Sequence, residues 1–210
     1  MNKPERSLSD LEAIALRLRK AGGVGDVKAF HVLDFFERLK AIFPGLKLVP
    51  VQDELLQGAL AEANAATNTI LIRQSTLEDA ANWQRRARFV FVEEICHIAL
   101  GHTGPRHRNC GGRPIGFTPS ERRDETEARK LAALILMPTE FAIECCSLQE
   151  IQDQFIVSAE AAQIRWEEIE RTRRQRSGQK RRLPPGVADF LREAKRRGHP
   201  ITANLDDEQA

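Results

Sequence analysis

Residues 89–100 are almost wholly apolar, yet two adjacent carboxylates stand in the middle of them: Phe89-Val90-Phe91-Val92-Glu93-Glu94-Ile95-Cys96-His97-Ile98-Ala99-Leu100. A helix that is apolar on every side is a buried helix. A carboxylate taken out of water costs several kcal/mol unless something compensates it. The run therefore asks for cations, and a divalent metal is the natural candidate. Residues four apart share one face of a helix, so Glu93 and His97 can converge on one ion, while Glu94 projects about 100° away. The competing reading is a core helix whose acids pair with buried arginines.

The flanking sequence narrows the class of molecule. At 210 residues the chain can hold one ordinary domain and an appendage, and 41% apolar content suffices for its core. A net charge of only +2 gives no global nucleic-acid signal. The polar start, Met1-Asn2-Lys3-Pro4-Glu5-Arg6, has no apolar segment behind it, so no secretory signal is expected. No apolar run reaches the ~18–20 residues of a membrane span. Four cysteines (Cys96, Cys110, Cys145 and Cys146) form no disulfide framework and read as reduced thiols, which makes a cytoplasmic location the expectation.

Ser9-Asp10-Leu11-Glu12 reads as a capping box opening a helix that Gly22-Gly23 stops. A second helix is expected over 27–42. Short strands follow at 46–51, 58–62 and 69–73, the last two flanking a polar turn at 64–68 as an antiparallel hairpin. The buried helix is expected over 77–100, a Gly-, Pro- and His-rich loop over 101–118, and a helix from Ser120 to Met137, ended by Pro138. Two further helices are expected near 147–155 and 158–173, and a short one over 187–197. The domain boundary implied by the change to basic composition separates 1–173 from a tail at 174–210.

A metal centre of this kind needs a third protein ligand. The helix after the loop offers Glu125 and Glu127. Glu127 shares a face with Leu131, Leu134 and Ile135, the core side, where a carboxylate most needs a cation, and is preferred; Glu125 lines up with Ala128, Arg129 and Ala132 and is the alternative.

The stretch Glu93-Glu94-Ile95-Cys96-His97 is similar to a His-Glu-x-x-His metallopeptidase helix whose first histidine is replaced. Three blocks together resemble the ImmA/IrrE family of metallo-endopeptidases: Arg88-Phe89 leading into Glu93–His102, Glu127-Ala128 leading into Leu131-Ala132-Ala133-Leu134-Ile135-Leu136-Met137-Pro138, and Phe155-Ile156-Val157-Ser158 leading to Arg165. The resemblance implies an α+β fold, a mainly helical zincin-like domain packed on a short, largely antiparallel sheet. It also implies Glu93, His97 and Glu127 as metal ligands and Glu94 as general base. The implied cofactor is zinc, and the implied substrate is a protein, typically a transcriptional repressor in a phage, mobile-element or stress-response circuit.

The chain departs from that pattern in two ways. Glu93 stands in the position of a histidine, and two carboxylate ligands reduce the ion's effective charge and shift preference toward harder ions such as manganese. The sequence also contains no tyrosine, which leaves His102 as a candidate oxyanion stabiliser. The alternative function is a regulatory module that binds a repressor or nucleic acid without cutting. A basic run over 171–182 could contact phosphate, though a solvated tail is the simpler reading. His102, His107 and Cys110 match no zinc-finger spacing.

Overall fold

The structure, a computed structural model, describes residues 6–56, 58–102, 118–177 and 185–199. His107, Cys110, most of the expected loop, Lys180, Arg181, Arg182 and the last residues of the chain lie outside these. The chain divides into two compact units, Met1–Ile169 and Glu170–Ala210.

In the first unit, α1 (Leu8–Ala21) and α2 (Val32–Leu39) precede β1 (Lys47–Val51), β2 (Ala61–Asn64) and β3 (Thr69–Arg73). Then come α3 (Gln74–Ala81), α4 (Arg85–Leu100), α5 (Pro119–Leu136), α6 (Thr139–Ala142) and α7 (Leu148–Phe155). The helix α8 (Ala159–Arg176) starts in this unit and passes into the second, which also holds α9 (Pro185–Arg196). The fold is α+β with a three-stranded mixed sheet of order β1-β3-β2. The expected hairpin exists: β2 pairs antiparallel with β3, while β1 pairs parallel with β3. Ala61, Ala63, Ile70 and Ile72 supply the buried face of β2 and β3, which lies against α4.

Several boundaries differ from the sequence reading. The first capping box is Ser7 and Asp10, not Ser9 and Glu12: Ser7 Oγ accepts from the Asp10 N–H, and the Asp10 carboxylate accepts from the Ser7 N–H. The long buried helix is two helices. Its interruption falls at Asn82–Trp83, where Trp83 takes a left-handed φ of +62°. The second helix starts at Val32 rather than residue 27. Gly22 is needed next to it, because a Cβ there would lie 2.2 Å from the Phe35 ring.

Three fully buried arginines tie the elements together through backbone carbonyls, and Arg165 also pairs with Glu168 at 2.9 Å. Arg88 on α4 donates to the carbonyls of Phe155, Ile156 and Phe30. Arg165 on α8 donates to the Met137 carbonyl at 2.9 Å, and Arg19 on α1 to the Ile135 carbonyl at 2.6 Å. Apart from Phe30, which precedes α2, these acceptors sit at or just past the C-terminal ends of α5 and α7, where helix carbonyls lack partners of their own. Burial lowers the Arg88 and Arg19 side chains to a pKa of about 10, which still leaves them charged at neutral pH. Trp166 packs partly buried against the core.

Candidate metal centre

Every residue from Val90 to Ile98 is buried, as the apolar run demands. Glu93, Glu94 and His97 are 2%, 1% and 0% exposed. The helix α5 packs along α4 and supplies what the acids face. Glu125 and Arg129 are four apart on α5, as Glu93 and His97 are on α4. The facing pairs run in opposite order: Glu125 Oε1 lies 3.4 Å from His97 Nε2, and Arg129 Nε lies 3.3 Å from Glu93 Oε1. Glu93, His97 and Glu125 each offer a ligand atom within 4.8 Å of the others, and all three residues are buried.

The third residue in this cluster is Glu125, whereas the sequence reading preferred Glu127. Two positions on, a side chain points about 200° round the helix, so the two glutamates serve different neighbours. Glu127 is buried as expected, but its partner is Arg6. The Arg6 N–H donates to Glu127 Oε1 at 2.9 Å, its guanidinium donates to Oε2 at 2.6 Å and also to the Leu100 carbonyl at 3.1 Å. Burial alone would push the Glu127 carboxyl up. The hydrogen bonds from Arg6 outweigh it, and with the Arg6 and His102 charges they hold the group below the ordinary carboxylate value. Arg6 escaped the sequence reading because it lies 121 positions from Glu127, with no periodicity to connect them.

His102 lies where α4 ends. Gly101 adopts a left-handed φ of +65°, and the His102 N–H turns back to the His97 carbonyl at 3.0 Å. Its ring is therefore brought against His97, Nδ1 to Nδ1 at 3.1 Å. Its Nε2 lies 3.6 Å from both Glu127 Oε2 and Asp124 Oδ1. His102 thus meets the nitrogen of His97 opposite to the one that faces Glu125. A group so placed can orient the His97 ring.

Glu94, next to Glu93 on α4, reaches the sheet with one carboxylate oxygen. Its Oε2 accepts the backbone N–H of Ala63 on β2 at 2.9 Å. Among the described residues β2 has a single sheet neighbour, β3, so this carboxylate lies on a sheet edge.

The donors are one imidazole nitrogen and two carboxylates, buried and convergent, a set suited to a divalent metal. No helix among the described residues is long and apolar enough to cross a membrane. No curated protein matches the chain. The model of the IrrE N-terminal-like domain, a peptidase family, matches residues 62–167, which is just over half of the chain and spans the whole Glu93–His97–Glu125 cluster and Glu94. With that match and this cluster, the chain belongs to the ImmA/IrrE family of metallopeptidases.

Proposed function

We propose that this chain is a metal-dependent endopeptidase acting on a protein substrate, with Glu93, His97 and Glu125 as metal ligands and Glu94 as general base. The observation that carries the reading is the convergence of three buried ligand atoms from α4 and α5 within 4.8 Å. Zinc suits the nitrogen donor, and the two carboxylates extend the choice to manganese. The chemistry such an ion supplies is acidification of water and polarisation of the scissile carbonyl.

The rest falls to the chain's own side chains. The Ala63 N–H fixes one oxygen of Glu94, which orients the carboxylate at the edge of β2. Glu94 takes the proton of the attacking water and returns it to the leaving amine. The outer edge of β2 can receive an extended peptide by strand addition, which brings a scissile bond alongside Glu94. The substrate class that fits the family is a transcriptional repressor of a phage, mobile-element or stress-response circuit, met in the cytoplasm.

The test is incubation with zinc or manganese and the repressors encoded beside this chain. Cleavage should require the metal and vanish in Glu94→Gln. Cleavage that survives both a chelator and that substitution would sink the assignment.

A second reading is favoured by one observation, the pairing of Glu93 with Arg129. A chain that satisfies its buried acid with an arginine can serve as a regulatory module, binding a repressor or, through the basic run over 171–182, nucleic acid. Metal analysis of the purified protein separates the two readings.

A further inference from the structure

Glu93 has two potential cationic partners in the same corner. The residue is 2% exposed and its carboxylate belongs to the convergent cluster. The same carboxylate accepts from Arg129 Nε at 3.3 Å. Arg129 follows Glu125 by one turn of α5, so the guanidinium and an ion held by Glu125 would crowd the same carboxylate. Two cations a few ångströms apart repel in a partly buried site. The two partners differ in what they can do about it. Glu93 is held inside α4 and cannot reach water. The Arg129 side chain is 61% exposed, on a long flexible stem, and can withdraw into solvent.

We propose that Arg129 is a tethered cation that competes with the metal for Glu93. With no ion bound, the guanidinium satisfies the buried carboxylate; ion binding requires that it swing out. The arginine thereby lowers the affinity that the three ligands would otherwise have, and the site fills only when free metal is high enough to displace it. This inference rests on the metal-centre reading, and the experiment must separate the failure of one from the failure of the other.

Calorimetric titration with zinc chloride and manganese chloride does so, on wild type, Arg129→Gln and Arg122→Gln. The last variant removes the same charge from the same helix, two turns away. Arg129→Gln should bind roughly tenfold more tightly than wild type, and Arg122→Gln should bind like wild type. Without metal, Arg129→Gln should also melt below Arg122→Gln, because Glu93 has lost the Arg129 guanidinium, and zinc should restore it. Unchanged or weaker binding by Arg129→Gln, with wild type binding one ion, overturns the competition and leaves the metal centre standing. Equal tightening in both variants reduces the effect to general charge and overturns it too. No uptake by wild type or by Arg129→Gln overturns the competition and the metal centre together.

Discussion

The Nδ1 atoms of His97 and His102 meet across 3.1 Å, which obliges one ring to donate and the other to accept. An ion held at His97 Nε2 would leave the proton on Nδ1 and make that Nδ1–H the donor. His102 then carries its proton on Nε2, the atom 3.6 Å from Glu127 and Asp124. A polar line thus runs from Arg6 through Glu127 and His102 to His97. Partners of this kind orient a ligand imidazole and raise its basicity. His102→Ala should weaken zinc binding by roughly 10–100-fold while the fold persists. Calorimetry beside circular dichroism reads both; unchanged affinity would remove His102 from the support of the site.

Glu125 and Glu127 should separate cleanly. Glu125→Gln removes a ligand and should abolish stoichiometric metal uptake. Glu127→Gln should leave uptake near one ion per chain, yet lower stability by about 1–3 kcal/mol as its bonds to Arg6 weaken. Metal content by mass spectrometry and urea unfolding measure the two effects. The reverse pattern would restore Glu127 as the ligand.

Glu93→His exchanges a carboxylate ligand for an imidazole and ends the pairing with Arg129. Zinc affinity should rise, with any peptidase rate, and the preference for manganese should fall. A lower zinc affinity in this variant would mean that residue 93 does not face the ion.

Arg88→Leu leaves the carbonyls of Phe155, Ile156 and Phe30 without their donor. The expected loss is about 3 kcal/mol or more, since each buried orphan acceptor is costly. Denaturant unfolding with an unchanged slope checks it. A near-neutral result would mean that water replaces the guanidinium.

The Asp10 carboxyl lies below its ordinary value of 3.8, chiefly because the Ser7 hydroxyl and then the Ser7 N–H donate to it. A depressed folded-state pKa contributes stability above the unfolded value, and that contribution disappears as pH falls through the folded one. Asp10→Asn should therefore melt below wild type at neutral pH, and the gap should close in strong acid. A gap independent of pH would assign the effect to helix propensity instead.

Much of the scaffold is legible in the chain because it rests on local rules. The unbroken apolar run around Glu93 and Glu94 implies a buried α4, and Val90–Ile98 are buried throughout. The hairpin of β2 and β3 follows from a polar turn between two short runs with buried alternation. The three sequence blocks turn out to touch one another: Arg88 of the first holds the carbonyls of Phe155 and Ile156 in the third, and Arg165 of the third holds Met137 of the second. The break at Trp83 was not legible, since a left-handed non-glycine residue leaves no mark in composition.

What the sequence by itself determined is the demand: acids spaced along a helix that must be buried, and hence a need for positive charge near Glu93. Which cation answers that demand was decided only by tertiary structure. Core-side periodicity could say that Glu127 is buried, and it is, but burial does not name a partner. The crossing of α5 over α4 brought Glu125 to His97 and Arg129 to Glu93, while the start of the chain brought Arg6 to Glu127. Those pairings join residues far apart in sequence, and helix periodicity carries no information about which face of one helix will meet which face of another.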